Sequence, residues 1–173
     1  MMRLTVKETA IFSMLGTLMY CSKLIMEALP NIHLIGVLTV AVTVVYRRKA
    51  LYPIYIFVFL TGLFGGFNTW WIPYLYIWTL LWAAVMLLPK RLPKVASTAL
   101  YIGVCSLHGF LYGILYAPAQ ALFFGLDFKG MLAWISAGAV FDTIHGVSNF
   151  FCGFLIVPII AILKTADKAA RQQ

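Results

Sequence analysis

Long apolar stretches separated by short polar, proline or glycine breaks run the length of the chain, and the breaks divide it into six. Pro30-Asn31 ends the first stretch, Arg47-Arg48-Lys49 the second, Gly65-Gly66-Phe67-Asn68 the third, and the segment from Pro89 to Lys94 the fourth. Proline lacks a backbone donor and glycine weakens a helix, so these breaks act as stop signals. The pattern predicts one all-α membrane domain over residues 1–173, with six transmembrane helices at 8–29, 32–46, 51–64, 70–88, 95–117 and 131–163. Pro73 falls in the first turn of the fourth span, where a missing N–H costs nothing. Pro118 is expected to bend or end the fifth. The sixth is longer than the ~20 residues a bilayer requires, so its first turns are expected at or above the interface.

Composition and charge give this pattern an orientation. With 63% hydrophobic and 10% charged residues and a mean hydropathy of +0.95, the chain is too apolar for a soluble domain of its size. The net charge of +8 is spread as punctuation between apolar runs rather than gathered on one face, so no nucleic-acid partner is expected. Arg3 and Lys7 precede the first span, Arg47, Arg48 and Lys49 follow the second, Lys90, Arg91 and Lys94 follow the fourth, and Lys164, Lys168 and Arg171 follow the sixth. The alternate connections hold only Lys129. By the positive-inside rule both termini are cytoplasmic. No small-x-small cleavage site follows the first run, so that run is expected to be retained as a span. Cys21, Cys105 and Cys152 are far apart, form no CxxC and read as packing residues; no metal or cofactor is expected.

Candidate chemistry concentrates in the outward half. Asp142, His145 and Asn149 stand at i, i+3 and i+7 and share one helix face in an otherwise apolar segment. Such a face should turn toward protein or a wet cavity, because an ionisable group at the bilayer centre costs roughly 2.5–3.5 kcal/mol on insertion scales. Trp71, Tyr74 and Trp78 recur at helical spacing on the fourth span, as do His108, Tyr112 and Tyr116 on the fifth. Aromatic walls with a few fixed polar groups are how concave sites hold planar molecules, although an interfacial aromatic belt accounts for any one of these rings equally well. The connections at Pro30 to His33 and Gly65 to Trp70 are placed to act as lids. On the first span Ala10, Ser13 and Thr17 form a small-residue face that lets another helix approach closely. Two other readings compete: a stand-alone carrier or channel, and an intramembrane enzyme using His108, Asp142 and His145.

Six spans, both ends inside, basic cytoplasmic connections and a small-residue face on span one together resemble the substrate-binding S components of energy-coupling factor (ECF) transporters. The most local likeness is to the thiamin-specific member: His108 followed by Tyr116 on span five, and His145-Gly146-Val147-Ser148 where that protein carries an N-G-I-S pattern. Its span four looks to carry an acid, and this chain has none between Trp70 and Leu88, so the ligand itself is left open. The resemblance implies a multi-pass protein of a prokaryotic plasma membrane that captures a vitamin, a precursor or a related small heterocycle, and is not an enzyme. It also implies a transmembrane coupling (T) subunit, met through Ala10, Ser13 and Thr17, and two ABC ATPase subunits. The absence of a GxxxxGK[ST] phosphate loop agrees with leaving ATP hydrolysis to partners. Trp71, Tyr74, Trp78, Tyr112 and Tyr116 would wall the ligand, and His108, Asp142, His145 and Asn149 would fix its polar edge.

Overall fold

A computed structural model describes residues 4–89, 91 and 93–172. Arg3 and Lys90, two of the orienting charges, lie outside the described residues, as does the side chain of Arg171. Among the described residues the regular structure is all helix: α1 (Val6–Ile25), α2 (Ile35–Tyr46), α3 (Leu51–Gly65), α4 (Tyr74–Leu87), α5 (Lys94–Phe110), α6 (Tyr112–Phe124), α7 (Phe128–Cys152) and α8 (Ile156–Gln172). Short 3-10 turns at Arg47–Ala50 and Gly153–Leu155 join α2 to α3 and α7 to α8. Two continuous helical stretches, Lys94–Phe124 and Phe128–Ala169, are long and apolar enough to cross a membrane.

Local chemistry explains where the helix ends depart from the expected boundaries. α1 starts at Val6 because Thr5 and Glu8 form a reciprocal capping box. α4 starts at Tyr74 rather than near Trp70, because Asn68 Oδ1 accepts the Trp70 N–H at 3.1 Å and holds the chain in turns up to Pro73. The expected bend or stop at Pro118 is not found there; Pro118 lies inside α6, and the interruption falls at Leu111. Its cause is a side chain from another helix. Asp142 Oδ1 accepts the Gly113 N–H at 3.0 Å, a donor that a continuous helix would spend on the Gly109 carbonyl. The last stretch also runs on past its expected end at Leu163, through Gly153–Leu155 and along α8. Pro158 cannot donate to the Phe154 carbonyl, which is where the winding tightens to 3-10.

The helices pack around α2. Every residue from Ile35 to Thr43 is buried, as expected of a helix that is apolar on all sides. α4 and α8 lie against it, α1 packs on α3, and α5 packs on α7. α1 approaches α3 closely at Gly16, where an added Cβ would sit 2.6 Å from the Ile56 side chain and 2.8 Å from the Pro53 carbonyl. The end of α2 is tied to α4 by Arg47, which donates from Nη2 to the Met86 carbonyl at 3.0 Å and accepts from Trp82 Nε1 at 3.0 Å. Glu8 pairs with Lys49 and ties α1 to the same end. The outer surface remains strongly apolar, with Met14, Leu18, Phe59, Phe64, Leu107, Phe141 and Phe151 among many exposed large side chains.

Candidate functional site

A close helix pair builds the floor of the site. At Gly109 an added Cβ would lie 2.8 Å from Gly146 Cα, so α5 and α7 touch backbone to backbone. Two hydrogen bonds cross this contact: Ser106 Oγ donates to the Gly146 carbonyl at 2.8 Å, and Asn149 Nδ2 donates to the Cys105 carbonyl at 3.1 Å. These bonds fix the rotation of α7. They place His145 (2% exposed) and Asn149 (fully buried) toward the interior.

All three histidines of the chain meet there. The ring centroids of Tyr112 and His145 are 5.0 Å apart, those of His108 and Trp78 5.5 Å, and those of Trp78 and Tyr112 6.1 Å. His33, in the connection before α2, lies 4.7 Å from His145 and 6.2 Å from Trp78. Tyr74 extends the wall, 6.0 Å from Trp78, and its hydroxyl pairs with that of Tyr112. Five buried side-chain atoms in this cluster have no protein partner: His33 Nδ1, Trp78 Nε1, His108 Nδ1, His145 Nε2 and Asn149 Oδ1. Native interiors leave few buried polar atoms unpaired, so a concentration of five calls for a group that completes them. Each carries a cost of about 1–3 kcal/mol while it stays unpaired.

Of the residues singled out in the sequence, Tyr74, Trp78, His108, Tyr112, His145 and Asn149 are thus brought together. Tyr116 lies one step outward, 6.1 Å from Tyr112, stacked on Trp134 at 5.8 Å and donating its hydroxyl to the Trp70 carbonyl at 2.6 Å. Trp71 is turned to α3, its N–H given to the Val58 carbonyl at 2.8 Å. Asp142 is half-buried and holds the α5–α6 break through Gly113. An added Cβ at Gly113 would lie 2.1 Å from Asp142 Oδ2, so glycine is what admits the carboxylate. His33 is the member that the sequence reading placed in a lid and at the start of the second span, not among the ligand contacts. A ring nitrogen placed two residues before a wholly apolar helix was its one available signal. Ala10, Ser13 and Thr17 are exposed along α1.

The assignment of Asp142 gives a graded expectation. Asp142→Asn keeps an oxygen for Gly113 and should leave the unfolding midpoint close to that of the native chain. Asp142→Ala removes the acceptor and should cost about 1–3 kcal/mol of stability, read by thermal unfolding in detergent. Equal stability of the two variants would show that the contact does not hold the break.

No family model, curated protein or solved structure matches the chain.

Proposed function

We propose that this chain is a six-span membrane protein with both termini in the cytoplasm, acting as the substrate-binding S component of an ECF-type importer. In this reading it captures a vitamin, a precursor or a related small heterocyclic micronutrient from outside the cell. The observation that carries the reading is the meeting of five partnerless buried polar atoms with a continuous aromatic wall, on four helices and one connection. A site of that make-up binds and orients a flat molecule. Its depth fits capture from outside: His33 precedes α2, Trp78 is in the second turn of α4, and Tyr112 opens α6, all toward ends that the basic connections assign away from the cytoplasm. The apolar outer surface supports immersion in lipid, since a soluble monomer rarely exposes contiguous apolar area on this scale. The exposed face of Ala10, Ser13 and Thr17 is the surface offered to the coupling subunit, which with two ATPases would drive uptake.

Gentle purification followed by mass spectrometry of released small molecules tests the reading. The expected result is a stoichiometric heterocycle that quenches tryptophan fluorescence when returned to emptied protein, together with co-purification of ATPase subunits. A chain that transports its compound in vesicles without ATPase subunits is a self-sufficient carrier instead.

A further inference from the structure

His33 differs from every other member of the cluster because a connection carries it, not a helix. Its ring stands at 69° to His145 and at 66° to Trp78, edge-on to both. The connection reaches this position through Asn31, whose φ of 60° is in the left-handed region. A shared side-chain contact from α7 meets it there: the single hydroxyl proton of Ser148 lies between the Asn31 carbonyl, 3.0 Å from Oγ, and the His145 carbonyl, 2.9 Å from Oγ. Once inserted, His33 fills space among the rings, yet its own Nδ1 finds no partner and the polar atoms around it remain unpaired. A flat nitrogen ring thus occupies the cluster without satisfying it.

The unpaired atoms define what would satisfy it. His108 Nε2 lies 3.2 Å from the Ile77 carbonyl, which can only accept, so Nε2 carries the proton and Nδ1 presents a lone pair. Asn149 donates one Nδ2 hydrogen to the Cys105 carbonyl, and its Oδ1 is an acceptor with no partner. Trp78 Nε1 can only donate. The complement is a ring edge with N–H or NH2 donors and at least one acceptor. Asp142, which accepts the Gly113 N–H, and Lys23, 3.9 Å from Glu27, are not among the unpaired groups. The five unpaired atoms all belong to neutral groups, so a fixed charge on the ligand would find no counter-charge among them, which is costly.

From this juxtaposition we infer that His33 stands in the ligand's own place, and that the ligand is an uncharged planar nitrogen heterocycle bearing N–H donors beside an acceptor. The inference rests on the capture reading above and narrows it. Binding must first expel His33, so the measured affinity is the intrinsic affinity reduced by the fraction of molecules in which the connection has withdrawn.

The sign of one substitution decides the matter. The full chain, His33→Ala and His145→Ala are purified in mild detergent, exposed to a low-molecular-weight filtrate of yeast extract and washed. Released compounds are then identified by mass spectrometry and titrated back by tryptophan quenching. The same uncharged heterocycle should be found on the native chain and on His33→Ala, with His33→Ala binding it about tenfold more tightly, while His145→Ala loses it. Unfolding midpoints of the three proteins establish that each is folded. Binding by His33→Ala that is no tighter than native overturns the inference and makes His33 a ligand contact or a bystander, with capture intact. A retained compound with a fixed charge also overturns it and also leaves capture intact. No retained compound on either the native chain or His33→Ala removes the capture reading, and the inference with it.

Discussion

His145→Ala and Asn149→Leu should each weaken ligand binding by at least about tenfold, the equivalent of roughly 1.4 kcal/mol, while the protein remains folded and monodisperse. Both side chains are buried on the inward face of α7, and each has a polar atom with no protein partner. Loss of either leaves a ligand group unpaired in a dry site, where an unmade hydrogen bond costs about 1–3 kcal/mol. The two variants differ in their structural effect. Asn149→Leu lowers the unfolding midpoint by removing the bond to the Cys105 carbonyl, whereas His145→Ala keeps the α5–α7 bonds and lowers it through the cavity left beside His33 and Tyr112. Titration with the co-purified compound, read by tryptophan quenching, gives the affinities. Unchanged affinity in both variants would remove α7 from the site.

A second large effect is expected at the α5–α7 contact. Gly109→Ala places a methyl 2.8 Å from Gly146 Cα and 2.9 Å from Gly146 N, and backbone atoms cannot step aside as a side-chain tip can. The helices must part, which should cost about 1–3 kcal/mol from overpacking and take binding with it. Gly103→Ala is the internal control, since an added Cβ there meets nothing within 4 Å. On propensity alone it should be neutral or stabilising by up to about 1 kcal/mol. Thermal unfolding of the two variants side by side makes the comparison. Equal midpoints would mean that the α5–α7 contact is looser than the geometry requires.

Much of the helical architecture could be read from the chain because its punctuation is local. Arg47-Arg48-Lys49 and Gly65-Gly66 mark ends that α2 and α3 reach within a residue. The interruption at Leu111 could not be read in that way, since it depends on the carboxylate of Asp142, twenty-nine positions beyond Gly113, which reaches that N–H only after α6 and α7 have packed. For the same reason Asp142 looked like a ligand group: spacing on α7 places it on the face of His145 and Asn149, but cannot show that a neighbouring backbone claims it first. Aromatic periodicity picked out Tyr74 and Trp78 correctly as neighbours, 6.0 Å apart, yet could not separate them from Trp71, whose N–H is spent on α3. His33 lay outside any periodic pattern. Its position follows from a turn and a long-range bond, neither of which leaves a trace in helical spacing.

The bond set around Arg47 has a mechanical consequence. At that end α2 and α4 are stapled through two side-chain-to-backbone bonds, and the ion pair of Glu8 with Lys49 clamps α1 beside them. At the opposite end the connection before α2 is fastened to α7 by one serine hydroxyl. Withdrawal of His33 to admit a ligand would therefore break one serine contact and leave the ties at Arg47 in place, a local parting of the connection from α7 rather than a loosening of the whole.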